Sequence, residues 1–206
     1  MEQIFLSNDK AERKYSCETI KSKHLEKEFL QSKFWLEIWK KKFVLWFTWE
    51  ITSENFWEEF LKSLEILLEL DVQILILAKS EKEFQEKIWK LHEKFSNKFL
   101  VLSDSKENIR DIYAISDSIL YLWVDDNLIL SALSYSVVPV ILNHENLEID
   151  LLEDFDPLRE IWNSFFVKWQ NFAFILESIL RAKETFRFSY DWWVLKTHCA
   201  NTFKNL

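Results

Sequence analysis

Charged, polar and aromatic residues follow the apolar runs of this sequence, at places where strands would end. They are Trp49, Glu50, Lys79, Asp104, Asp125, Asp126 and Asn127. A lysine at such a place can neutralise an anionic ligand or simply lie on the surface. A carboxylate can take part in a reaction or cap the helix that follows. For Lys79, and for Asp125 and Asp126, both interpretations stay open, and His144 is most simply a loop histidine.

The second chemical feature is an absence, because the 206 residues include no glycine and 11 tryptophans. An ordinary sequence of this length would have about 14 glycines. The glycine-rich turn of dinucleotide-binding proteins, the P-loop and the nucleophile elbow all need backbone without a Cβ atom. The sequence therefore excludes each of these motifs.

Charge and cysteine content narrow the classes further. The formal net charge is −8 and the isoelectric point is about 5.2, which disfavours a nucleic-acid partner. Cys17 and Cys199 are far apart and have no metal-ligand spacing, which is typical of two reduced thiols. The sequence begins without an apolar signal region and has no run of 18 apolar residues. We expect a cytoplasmic protein with no membrane partner, no metal and no cofactor.

The elements that must position these residues alternate between strand and helix. Strands are predicted at Phe43–Thr48, Val72–Ala78, Phe99–Leu102, Ser118–Leu122, Val137–Leu142 and Ser164–Val167. Helical patterns separate them, which predicts right-handed crossovers and an α/β fold: a doubly wound parallel sheet with helices on both faces. Residues 1–40 are interpreted as a helical lead-in and residues 41–206 as the Rossmann-like domain.

Two further expectations follow from this pattern. Ligands of doubly wound folds bind at the carboxyl ends of the strands, where the strand order reverses. The segments that matter are therefore Trp49–Ser53, Lys79–Glu81, Ser103–Ser105, Trp123–Asn127 and Asn143–Glu148. Before the first strand, an amphipathic helix is predicted over Glu18–Phe34, with an apolar face made of Ile20, Leu25, Phe29 and Leu30.

Several tryptophans occupy places where a chain turns or where backbones approach closely. The clearest is Trp35, at the end of a helical pattern where glycine is favoured. We hypothesise that some tryptophans are recoded glycines, since certain bacterial lineages read the UGA codon as glycine. The positions concerned are Trp35, Trp49, Trp162 and Trp169. A genuinely glycine-free protein is the alternative, and UGG codons at these positions would establish it.

Several stretches resemble, in order, motifs of the bacterial glycogen and starch synthases, among them FVLWFTWEITSENFWEEF, which is similar to GRLxxQKGxxLLxxAL. KEFLQSKFWLE resembles K-x-x-LQ-x-x-x-GL, with Trp35 where the family has glycine. IYAISDSILYL is similar to IYAxxDxxLxPS, and ALSYSVVPVI to ALRYGTIPVV. DWWVLKTHCANTF resembles the family's C-terminal W-x-x-L helix. The matched residues include Lys27, Leu30, Gln31, Leu36, Tyr113, Ala114, Asp117, Ala132, Leu133, Tyr135, Pro139 and Val140.

The resemblance implies a fold and an activity. The family has the GT-B fold, two Rossmann-like domains with the active site between them, and transfers glucose from ADP-glucose or UDP-glucose to an α-glucan. The chain resembles the C-terminal, nucleotide-sugar-binding domain alone. The resemblance thus implies a nucleotide sugar as ligand and a separate N-terminal half as partner.

The family's charged donor site is poorly matched. Its diphosphate-binding arginine and lysine align with Glu50 and Phe56, and Asp104 stands where the family has an aromatic residue near the adenine. The family's glutamate loop is shortened to Trp123–Asn127, where Asp125 or Asp126 is the available substitute. Since such enzymes stabilise a leaving diphosphate with cations, these changes remove the main favourable interaction. Three interpretations remain: a degenerate transferase domain, half of a split active enzyme, and a non-catalytic interaction module or truncated remnant.

Overall fold

The computed structural model describes residues 23–39, 41–50, 63–79, 82–103, 105–121, 126–142, 151–159, 162–169 and 171–204. The strands are β1 (Phe43–Glu50), β2 (Val72–Lys79), β3 (Phe99–Leu102), β4 (Ser118–Tyr121), β5 (Val138–Leu142) and β6 (Phe165–Val167). The helices are α1 (Lys23–Lys33), α2 (described over 63–69), α3 (Lys82–Lys94), α4 (Lys106–Ile115), α5 (Asp126–Ser134), α6 (Phe172–Phe186) and α7 (Ser189–Lys204).

The six strands form one sheet in the order β3-β2-β1-β4-β5-β6, and every neighbouring pair is parallel. This confirms the predicted α/β fold, a doubly wound parallel sheet. The strands are apolar on both faces because helices cover both sides of such a sheet. Residues 43–47 of β1 and all of β5 are accordingly buried.

Two helices end in the same hydrogen-bonded turn. At the end of α1, the Leu36 N–H donates to the Gln31 carbonyl (2.9 Å) and the Trp35 N–H to the Ser32 carbonyl (3.2 Å). At the end of α5, the Val137 N–H donates to Ala132 (2.9 Å) in the equivalent bond. These are Schellman motifs, whose first residue beyond the helix takes the left-handed conformation that suits glycine.

The residues in that conformation are Trp35 (φ 59°) and Ser136 (φ 53°). Both stand where the aligned family motifs have glycine. The positive φ expected at Trp35 is confirmed. Trp162 and Trp169 do not have positive φ, and Trp49 is a strand residue of β1.

The predicted apolar face of the first helix is wrong at Leu25 and Phe29 and confirmed at Leu30. Leu25 and Phe29 are 62% and 68% exposed, whereas the buried residues of α1 are Lys23, Lys27, Leu30 and Gln31. The helix turns this side inward because the two lysines and the glutamine find buried hydrogen-bond acceptors there. Ile20 lies outside the described residues.

The C-terminal helices are fixed by polar contacts as well as by packing. Asn171 caps α6 by accepting the Ala173 N–H at 2.8 Å. The Asn163 side chain donates to the Leu151 carbonyl (2.8 Å) and to the Thr202 hydroxyl (2.9 Å). That one amide ties the segment before β6 to the end of α7.

Candidate functional site

The strand order reverses between β1 and β4, which lie side by side in the middle of the sheet. In a doubly wound fold the crevice at the carboxyl ends of these strands is where ligands bind. β1 ends at Glu50 and β4 at Tyr121. We refer to this side of the sheet as the carboxyl edge.

Two of the predicted site residues come together at this edge. Glu50 lies opposite Lys79, and Trp49 lies opposite Ala78, in the parallel register of β1 and β2. The backbone therefore places one acidic and one basic residue side by side at the strand ends. Asp126 begins α5 and Asn127 follows it as an exposed residue.

Other predicted residues fall outside the described part of the chain. Asp104, Asp125 and Phe56 belong to this group, as do the segments 51–62 and 143–150.

The described polar groups near the carboxyl edge serve the local structure. Ser105 caps α4 by accepting the Asn108 N–H at 3.2 Å, and the Asn108 side chain donates to the Ser103 carbonyl at 2.9 Å. Tyr121 donates its hydroxyl to the Leu128 carbonyl in the first turn of α5 at 2.6 Å. These groups hold the ends of β3 and β4 to the helices that follow.

A buried ion pair lies at the opposite, amino edge of the sheet. The Lys27 ammonium contacts the Asp117 carboxylate, and their side chains are 3% and 9% exposed. Lys27 also donates to the Lys42 carbonyl at 2.5 Å, and Asp117 accepts the Val44 N–H at 2.9 Å. The sequence matched Lys27 and Asp117 to two separate motifs; it gave no signal that they are partners.

Burial shifts the titration of several groups beside this pair. It lowers the pKa of Lys23 to about 7, although the charge of Asp117 acts in the other direction. It also lowers the pKa of Lys27 and of Lys196, and raises the pKa of the Cys199 thiol to about 12. Lys23 donates to the Tyr135 carbonyl at 2.9 Å, and Cys199 donates to the Asn163 carbonyl at 3.2 Å.

A chain of buried amides continues from α1 into the sheet. Gln31 donates to the Gln73 side chain of β2 at 2.7 Å and accepts the Trp39 N–H at 3.1 Å. Gln73 in turn donates to the Glu37 carbonyl at 2.6 Å. Buried amides with full sets of partners fix one arrangement of the elements that carry them.

Two other structural features are absent from the described residues. They contain no group of three or more His, Cys, Asp or Glu side chains arranged to hold a metal ion. None of their helices is long and apolar enough to cross a membrane.

Comparison with solved structures places the fold among glycosyltransferases. The catalytic domain of starch synthase IV from Arabidopsis thaliana, bound to ADP and acarbose, superposes with a TM-score of 0.77 at 16% identity, over 97% of this chain and 42% of that chain. The C-terminal domain of a group 1 glycosyltransferase from Francisella tularensis gives 0.63 at 9% identity, over 87% and 91%. HepE from Anabaena, in complex with UDP and glucose, gives 0.62 at 10% identity, over 93% and 51%.

These TM-scores show that the chain shares the fold of the Rossmann-like C-terminal domain of GT-B glycosyltransferases. The chain spans less than half the length of the starch synthase chain that it matches. No protein-family profile matches the sequence, and no curated protein matches it.

Proposed function

We propose that this chain is a glycogen/starch synthase-like glycosyltransferase domain, the C-terminal half that binds the nucleotide sugar, with a degenerate donor site. In that family the donor is ADP-glucose or UDP-glucose and the acceptor is an α-glucan. The proposal draws on the motif order in the sequence together with the shared fold over 97% of the chain. A separately encoded N-terminal half is the partner that this proposal implies.

The observation that carries the proposal is the role of the retained motif residues in the fold. The Lys27–Asp117 contact joins the K-x-x-LQ motif to the IYAxxD motif across 90 positions of sequence. The two residues with positive φ fall at the glycine positions of the first and the ALRYG motifs. Residues that hold the family's framework are therefore kept at matching places.

The charged residues of the family's donor site, in contrast, are not matched in this chain. Glu50, at the end of β1, stands where the family's arginine binds the diphosphate, and Lys79 is its neighbour in register. A carboxylate at that position repels a diphosphate and also neutralises an adjacent lysine. Binding of the donor is thus expected to be weak or absent, and independent catalysis with it.

The test is to measure the Tm of the purified chain at increasing concentrations of ADP-glucose and of UDP-glucose. A ligand at 100 times its Kd would stabilise the fold by about 2.7 kcal/mol. We expect no shift of the wild-type chain at millimolar ligand. In the Glu50→Arg variant we expect a measurable upward shift of Tm, because the cation is restored at the strand end.

The control is Glu93→Arg, which makes the same charge change at an exposed position of α3. An equal shift in this control would mean that net charge alone attracts the nucleotide. Tight binding by the wild-type chain would contradict the degenerate donor site. No binding by Glu50→Arg would count against the alignment of Glu50 with the family's arginine.

A second candidate is a non-catalytic Rossmann-like interaction module or a truncated remnant. The observation that favours it is that Ser103, Ser105 and Asn108, at the carboxyl edge, are engaged in local hydrogen bonds. A neighbouring reading frame with the family's KxGGL start, whose product co-purifies with this chain, would favour the split enzyme instead.

A further inference from the structure

A cavity of about 680 Å³ opens at the amino edge of the sheet, away from the candidate donor site. We call it the amino-edge cavity. Phe43, the first residue of β1, and Asp71, just before β2, mark its position at the start of the strands. Its size lies within the range of small-molecule sites. The other lining residues come from α1, the segment before β1, α6 and α7: His24, Trp39, Lys41, Lys183, Phe186, Arg187, Ser189, Trp192, Trp193 and Lys196.

Aromatic rings form the floor of this cavity. The ring centroids of Phe43 and Phe186 are 5.4 Å apart, those of Phe43 and Trp192 5.9 Å, and those of Phe186 and Trp192 5.3 Å. Each pair is tilted or edge-on, which is the favourable packing of aromatic rings. None of these three is among the four tryptophan positions suspected of being glycine. Phe43 and Trp192 are 1% and 4% exposed, so the aromatic surface open to a ligand is that of Trp39 and Trp193, which are 45% and 38% exposed.

Cations surround this floor, although the chain as a whole is acidic. Four lining side chains are lysine or arginine: Lys41, Lys183, Arg187 and Lys196. The one lining carboxylate, Asp71, is already paired with the Lys42 ammonium. The cavity is therefore positive in a protein whose net charge is −8.

The four cations of the cavity differ in whether a carboxylate pairs with them. Arg187 and Lys183 share Glu184, at 2.8 and 3.4 Å. Lys41 and Lys196 make no ion pair with any side chain in the described ranges. Burial lowers the pKa of Lys196, although the charge of Asp117 acts in the other direction, and a bound anion would favour its charged form.

We propose that the amino-edge cavity is a binding site for a phosphate monoester carried on a flat ring. The ring would pack on Trp39 and Trp193, and the dianionic phosphate would contact Lys41, Lys196 and Arg187. A dianion suits this site better than a monoanion because several cations line it. The site is distinct from the donor site, which lies at the other edge of the sheet.

The experiment is calorimetric titration of the full chain with phenyl phosphate, benzoate and phenol. We expect saturable binding of phenyl phosphate, weaker binding of benzoate and none of phenol. Lys196→Met is expected to raise the Kd for phenyl phosphate by about tenfold, the usual effect of losing a charge-assisted hydrogen bond. Lys41→Met, at an exposed position that leaves the fold intact, is expected to raise it severalfold.

Two control variants locate the binding. Lys90→Met removes an exposed lysine of α3 outside the cavity and should leave the Kd unchanged. Glu93→Arg adds a cation at an exposed position of α3 outside the cavity and should also leave it unchanged. Neither control alters the donor edge, so this test does not depend on the proposed function. Absence of saturable binding to the wild type, or the same Kd in Lys41→Met and Lys196→Met as in wild type, would overturn the proposal.

Discussion

At Trp35 a bulky side chain sits on a backbone conformation that glycine adopts without cost. Its φ is 59° and the residue is 88% exposed, so the indole ring gains little from burial. A non-glycine residue pays roughly 1–2 kcal/mol in the left-handed region. We expect Trp35→Gly to raise the free energy of unfolding by about 1 kcal/mol, measured by urea denaturation.

The matched control is Trp89→Gly. Trp89 is 62% exposed but lies inside α3, where glycine costs about 1 kcal/mol relative to a good helix former. The two variants should therefore shift the unfolding midpoint in opposite directions. If Trp35→Gly destabilises the chain as Trp89→Gly does, Trp35 is not at a glycine position. A UGG codon at position 35 would separately end the proposal that UGA is read there as glycine.

Buried tryptophans bear on the same proposal in a different way. The indole N–H groups of Trp46, Trp162 and Trp192 are buried without a hydrogen-bond partner among the described residues. Each such group costs on the order of 1–3 kcal/mol. Trp162 nevertheless packs against Phe155, with ring centroids 4.7 Å apart, and its φ is not positive. Backbone conformation therefore supports recoding at Trp35 and not at Trp162.

At the scale of elements, α1 is attached to the sheet by the Lys27–Asp117 pair. Removing one partner of a buried pair leaves an uncompensated charge and typically costs about 3–5 kcal/mol. We expect Lys27→Met to lower the free energy of unfolding by about that amount. The double variant Lys27→Met/Asp117→Asn should recover part of the loss, because it removes the Asp117 carboxylate that Lys27→Met leaves unpaired. Urea denaturation of the three proteins measures both effects.

A surface pair provides the comparison for this prediction. Lys94 contacts Glu65 at 2.7 Å, with both side chains about half exposed. Exposed pairs contribute about 0–1 kcal/mol, so Lys94→Met should change the unfolding midpoint little. Equal losses in Lys27→Met and Lys94→Met would show that the buried pair does not hold α1 in place.

The same two kinds of contact explain how far the fold is predictable from sequence. The bounds of β3 are predicted correctly because a short apolar run is a local signal. The buried face of α1 was mispredicted because Lys23 and Lys27 acquire their partners from residues 112 and 90 positions away. Periodicity assigns lysine to the surface and does not register a distant carbonyl or carboxylate.

The two candidate sites also differ in how far the sequence predicts them. Parallel strands bring their ends to one edge, so the proximity of Glu50 and Lys79 follows from strand assignments alone. The amino-edge cavity was not predicted, because its cations and rings come from several elements that meet only in the folded chain. The sequence has several lysines near Phe186 and Trp192, but it does not show which of them meet around one cavity in the fold.

At the scale of the whole molecule, buried amines make stability depend on pH. The unfolded lysines titrate near 10.5, whereas the pKa of Lys23 in the fold is about 7 and those of Lys27 and Lys196 are also lowered. Between these values the unfolded chain binds more protons than the native one. The free energy of unfolding of the protein must therefore rise with pH between the native and the unfolded pKa values of these lysines. The buried Cys199 thiol acts oppositely above pH 9, because its native pKa of about 12 keeps it protonated after the unfolded thiol ionises.

We therefore expect the urea midpoint to increase from pH 7 to pH 9 and to level off above it. One proton contributes a slope of at most about 1.4 kcal/mol per pH unit. Lys23→Met should flatten the rise, because it removes an amine whose pKa falls to about 7 in the fold. Lys90→Met, which deletes an exposed lysine of α3, should keep the wild-type slope. A urea midpoint that falls steadily between pH 7 and pH 9 would mean that the fold stabilises the charged form of these lysines. Lys196 would then gain no charge stabilisation from a bound anion, which would weaken the proposal for the amino-edge cavity.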